Sequence, residues 1–148
     1  MRKLFIITIT AFMLVFYACE SSEDISKGFD HEVPTYRVLT DSLVVQTGQT
    51  VALKVEIADN VGLKKVVFSY GNWFLFESIA LDELGNPKSY VFETSITIPD
   101  DAEKQWSEEL IRQDGSKRTI TQQYHKLILE ATDINMNVRN IPIYIKVE

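Results

Sequence analysis

Three observations predict an all-β chain. Short alternating apolar stretches recur at regular spacing, Gly, Pro and Asx clusters separate them, and no long helical pattern lies between. Together they imply a β-sandwich, two antiparallel sheets of about seven or eight strands packed face to face. The arrangement is organised around Ala58 to Tyr70 (ADNVGLKKVVFSY). The strand before it puts Val51, Leu53, Val55 and Ile57 on one face, with Lys54 and Glu56 on the other. Asp59, Asn60 and Gly62 then break the alternation. Asx side chains bond nearby backbone amides and glycine takes positive φ, so a tight connection is expected here.

The remaining elements follow in chain order. The folded part begins near Pro34, with Tyr36, Val38 and Leu43 to Val45 in the first strand region and Asp41-Ser42 as a kink. Thr47-Gly48-Gln49 is a turn before the strand Thr50 to Ala58. Leu63 to Tyr70 is the next strand. Gly71-Asn72 is a turn signal, and Trp73 to Leu81 reads as a further apolar strand. Asp82 to Pro87 (DELGNP) is a loop. Tyr90 to Ile98 carries Phe92, Thr94, Ile96 and Ile98 in phase, and Pro99 stops it.

Asp100 to Thr121 breaks the rhythm. Trp106 and Leu110 stand four apart, and Asp100 or Asp101 can cap a helix, so the stretch reads as a short helical or irregular insertion near 100–118. A hairpin with its tip at Asp114-Gly115 is the alternative that the pattern does not separate. Tyr124 to Thr132 returns to alternation, with His125, Leu127, Leu129 and Ala131 on one face. Asp133 to Asn137 is a turn, and Val138 to Val147 is the last strand, with Ile141, Ile143, Ile145 and Val147 in phase. The expected core therefore includes Val55, Ile57, Val66, Phe92, Leu127, Leu129 and Ile143.

The chain has 148 residues, enough for one domain with a true core. Its net charge of −6 argues against nucleic acid, which needs a basic patch. Arg2 and Lys3 precede an apolar run from Leu4 to Ala18, shorter than the ~20 residues of a comfortable membrane span and matching the apolar region of a secretory signal. The single cysteine, Cys19, follows directly. Loss of residues 1–18 would remove two positive charges and take the net charge from −6 to −8. Glu20 to Val33 is polar and acidic and reads as a flexible tether.

Phe16-Tyr17-Ala18-Cys19 resembles the lipobox of bacterial lipoproteins, in which leucine usually stands at the position of Phe16 and a small residue at that of Tyr17; the departure at these two positions looks like the loosened lipobox of the Bacteroidota. That resemblance implies a signal peptide at 1–18, lipidation of Cys19, a tether over 19–33 and an outer-membrane, surface-facing location. Ser21-Ser22-Glu23-Asp24 resembles the acidic surface-export signal of such lipoproteins; a solvated spacer is the alternative. Ala58-Asp59-Asn60-Val61-Gly62-Leu63…Val66 and Ala131-Thr132-Asp133-Ile134-Asn135-Met136-Asn137 look like the paired signatures of bacterial immunoglobulin-like domains. The second copy lacks the usual glycine. That resemblance implies an immunoglobulin-like sandwich over 34–148 and says little of function. Similar small lipoproteins are mostly of unknown function, and others sit beside glycan-uptake systems or act as adhesins.

Three sets of residues are candidates for chemistry. In an immunoglobulin-like sandwich the loops carrying Asp59, Asn60, Asp133 and Asn135 share one end, which could offer oxygen ligands to Ca²⁺. The reading preferred is that each aspartate ties its own turn, since Ca²⁺ usually takes more carboxylates than two. No metal or other cofactor is expected. The second set is aromatic: Tyr70, Trp73 and Trp106 form the candidate ligand surface, because Trp and Tyr combine apolar contact with a wet polar handle. The third is histidine: His31 falls in the tether, and His125, in phase with Leu127 and Leu129, reads as a hydrogen-bonded core residue. No nucleophile elbow, phosphate loop or carboxylate couple emerges, so the expectation is a binding module rather than an enzyme. Its expected partners are the membrane, through the lipid, and a glycan or envelope protein. The alternative is an accessory subunit of an envelope complex with no small-molecule ligand.

Overall fold

The structure is a computed structural model that describes residues 30–40 and 43–148. The leader, Cys19 and almost all of the tether lie outside these residues, as does the kink expected at Asp41-Ser42. A compact unit spans His31–Glu148. The described residues are mostly β, with no helix of 7 or more residues and none long and apolar enough to cross a membrane.

There are ten strands among the described residues: β1 (Thr35–Val38), β2 (Val44–Val45), β3 (Thr50–Ala58), β4 (Leu63–Tyr70), β5 (Leu75–Ala80), β6 (Ser89–Thr97), β7 (Trp106–Ile111), β8 (Lys117–Gln122), β9 (His125–Asp133) and β10 (Val138–Val147). They form a three-stranded sheet in the order β1-β3-β6, a five-stranded sheet in the order β2-β10-β9-β4-β5, and a two-stranded sheet of β7 and β8. All pairings are antiparallel except β2 with β10, where Lys146 and Val147 run parallel to Val44 and Val45.

Alternation decides which face of each strand is buried. Leu53, Val55 and Ile57 of β3 are fully buried, as are Phe92 of β6, Leu127 and Leu129 of β9, and Ile141 and Ile145 of β10. These side chains belong to one apolar cluster, and Phe68 of the larger sheet meets Phe92 of the smaller with ring centroids 5.6 Å apart. Every residue expected in the core is buried. Pro142 sits within β10 yet breaks nothing, because β2 pairs β10 only at Lys146 and Val147 and leaves that side open at Pro142.

Three expectations are corrected. The first strand region is two strands: Thr35–Val38 joins the smaller sheet and Val44–Val45 the larger, so the chain changes sheets between them. Trp73 is not in a strand. Gly71–Trp73 is a single 3-10 turn, and Phe74 leaves it at φ 53 before β5 begins at Leu75. The insertion near 100–118 is not helical: β7 and β8 pair Trp106 with Gln122 and Ile111 with Lys117. Its tip is the Asp114-Gly115 alternative, closed by Asp114 Oδ1 accepting from the Ser116 amide (2.9 Å) with Gly115 at φ 80. The four-residue spacing of Trp106 and Leu110 has no helical meaning, since most side chains of this hairpin are exposed.

Candidate functional site

Tyr70, Trp73 and Trp106, far apart in sequence, gather around His125. Tyr70 ends β4, Trp73 closes the following 3-10 turn, Trp106 opens β7 and His125 opens β9. The His125 ring lies 4.5 Å from Trp73 and 4.7 Å from Trp106, centroid to centroid, at tilts of 43° and 36°. Tyr70 meets Trp73 edge-on at 5.0 Å. Offset and edge-on contacts of this kind add stability beyond area burial.

Hydrogen bonds fix the histidine. Its Nε2 is 2.8 Å from the Glu103 carbonyl, which can only accept, so Nε2 carries the proton. In the neutral ring Nδ1 then accepts from the Tyr70 hydroxyl at 2.7 Å. His125 is 3% exposed and both ring nitrogens are used. It is the satisfied core histidine that its phase with Leu127 implies. Burial is the main cause that raises the Tyr70 pKa above its ordinary value; a hydrogen bond with Asn72 opposes the shift and the charge of Glu103 adds to it.

This knot forms one wall of a groove of about 520 Å³. Tyr70 and Trp106 line it together with Tyr124 and Tyr144, and Glu108, Gln122 and Lys126 supply the polar groups. Tyr144 and Lys126 are register partners on β10 and β9, both exposed, so they share the outer face of the five-stranded sheet. Gln122 Nε2 donates to Glu108 Oε2 at 3.0 Å across the hairpin. Among the described residues none pairs with the Lys126 ammonium. A cavity of about 160 Å³ lined by Asn72, Trp73, Asp101, Ala102, Glu103 and His125 borders the same histidine.

Two of the three expected ligand residues therefore line the groove. Trp73 does not: it is buried and acts as packing behind His125. Sequence reasoning missed Tyr124, Tyr144, Lys126, Glu108 and Gln122. The outward phase of Tyr144 was available between Ile143 and Ile145, but its neighbours depend on strand register. The most exposed aromatics are elsewhere: Phe74, just before the edge strand β5, is 95% exposed, and Phe76, within it, 74%.

The loops of Asp59 and Asp133 do meet. Their carboxylates approach within 4.8 Å, and the Ile134 amide donates to the Gly62 carbonyl at 3.0 Å. Each aspartate also ties its own turn. Asp59 Oδ1 accepts from the Val61 and Gly62 amides at 3.0 and 2.8 Å. Asp133 Oδ1 accepts from the Asn137 amide at 2.7 Å and Oδ2 from the Asn137 carboxamide at 2.8 Å. Asp59 Oδ2 is enclosed and accepts no hydrogen bond.

No protein-family model and no curated protein sequence matches this chain.

Proposed function

We propose that this chain is a lipid-anchored binding module of the cell envelope that recognises a glycan or a protein through the groove between the β7–β8 hairpin and the five-stranded sheet. In this reading Cys19 carries the lipid, residues 19–33 are the tether, the domain is an immunoglobulin-like sandwich, and the chain is a Bacteroidota-type lipoprotein held in the outer membrane, facing the cell surface. The observation that carries it is the convergence of Tyr70, Trp106, Tyr124 and Tyr144 on one groove of about 520 Å³. That volume falls within the range of roughly 300–1,000 Å³ of small-molecule sites, and a few polar groups among apolar walls are what orient a ligand.

A second reading, an accessory subunit of an envelope complex, is favoured by one observation. Phe74, just after the 3-10 turn, and Phe76, on the edge strand β5, are exposed, and exposed apolar side chains beside a free edge suit a protein partner.

Capture of solubilised envelope components on immobilised full-length chain separates the two. The groove reading predicts that Tyr144→Ala and Trp106→Ala lose the captured components and that Phe74→Ser with Phe76→Ser keeps them. The reverse result favours the accessory subunit. The anchor has its own test: Cys19→Ala should leave the membrane fraction or remain unprocessed, and a variant that stays in membranes at normal mature size excludes lipidation at Cys19.

A further inference from the structure

Resting on the groove reading above, we propose that the ligand is a neutral glycan, a run of pyranose rings without carboxylate, sulfate or phosphate. A sugar ring has two kinds of surface. One is an apolar C–H face, and the other is a rim of hydroxyls that both donate and accept. The groove offers a counterpart to each. Tyr124 and Tyr144 are each 51% exposed, so about half of each residue's surface stays open to solvent. Trp106 is half-buried, held on one side by His125. Flat aromatic faces of this kind pack on apolar ring faces at little entropic cost, because each side chain has only two soft torsions.

The polar groups match the rim. The Gln122 to Glu108 hydrogen bond orients both side chains. It leaves the second Glu108 oxygen and the Gln122 carboxamide oxygen as acceptors, while Lys126, which also lines the groove, supplies donors. Hydroxyls use acceptors and donors together.

The charges select against acidic sugars. Glu108 and Lys126 cancel within the groove, and the whole chain carries −6. A uronic or sulfated chain would meet Glu108 and an acidic protein with one lysine to offset them, and like-charge approach is unfavourable.

The test uses the full chain in a detergent without a sugar head group, followed by tryptophan emission and calorimetry. The probes are neutral hexasaccharides of glucose, mannose, galactose and xylose, and acidic hexasaccharides of galacturonate and of hyaluronan. At least one neutral probe should bind, the acidic probes should not, and Tyr144→Ala should weaken binding roughly tenfold, the loss expected for one stacked ring. Tyr144 is exposed, so this variant keeps the fold. Lys126→Gln keeps a side-chain donor while removing the charge, and should change the affinity for a neutral probe little. Acidic probes that bind better than neutral ones, with Tyr144→Ala still weakening them, overturn the neutral ligand and leave the groove reading standing. Neutral probes that bind Tyr144→Ala and Trp106→Ala as well as the parent overturn the groove reading itself. Binding of none of the probes overturns the neutral-glycan proposal, and the envelope capture above then decides the groove on its own.

Discussion

The Tyr70 hydroxyl stands 2.7 Å from Nδ1 of His125, and this bond joins the end of β4 to the start of β9 beneath the groove. Tyr70→Phe keeps the ring and removes the donor, leaving a nitrogen of a 3%-exposed histidine without its partner. Leaving a buried polar atom unsatisfied costs about 1–3 kcal/mol. Urea unfolding should show a loss of that size, and a change near zero would mean that water takes the place of the hydroxyl. The pH dependence has a definite sign. The Tyr70 pKa is raised above 10.0, so the folded state holds this proton more firmly than the unfolded state. Its contribution is fully present below the unfolded value and is lost as pH rises through the folded one. Tyrosinate absorbance should show an ionisation above the ordinary tyrosine range that Tyr70→Phe removes.

Gly62→Ala should destabilise the domain. Gly62 has φ 147, a conformation that L side chains rarely adopt, and a Cβ there would stand 2.7 Å from the Asn86 carbonyl oxygen. Strain of this kind costs of order 1–3 kcal/mol before any backbone shift. Thermal melts of Gly62→Ala and of Gly85→Ala offer a comparison, because Gly85 has open space around its Cβ position. Equal effects at the two sites would show that the approach of Asn86 carries no penalty.

Asp59→Asn should be well tolerated and Asp59→Ala should not. Asparagine keeps an oxygen for the Val61 and Gly62 amides and removes negative charge where the Asp59 and Asp133 carboxylates lie within 4.8 Å of each other. Alanine strands both amides. Calcium in excess over chelator should leave the parent melting temperature unchanged, whereas a site filled a hundredfold above Kd would add about 2.7 kcal/mol. A rise of several degrees that Asp59→Asn abolishes would make the pair a cation site instead.

The strands with one buried face were legible because burial writes period two into the sequence: β3, β6, β9 and β10 all lie where alternation puts them. The β7–β8 hairpin was not, since few of its side chains are buried and nothing enforces alternation; Asp114-Gly115 was its only local mark. Trp73 was misplaced because a 3-10 turn closes Gly71–Trp73 and turns the indole inward, a choice settled by contact with Tyr70 and His125. Local spacing carries no trace of that contact. The meeting of Asp59 with Asp133 was legible through the expected topology, whereas the meeting of Lys126 with Tyr144 depended on register.

Amide and indole NMR spectra of the full chain, recorded during titration with the neutral hexasaccharide panel, test the groove most directly. The two tryptophans give separate indole signals, one from Trp106 in the groove and one from Trp73 buried behind His125. The groove account predicts that the Trp106 indole and the amides of Tyr124, Lys126 and Tyr144 move together along one binding curve, with a smaller change at Trp73. Shifts centred on Phe74 and Phe76, with Trp106 and Tyr144 unmoved, would contradict it.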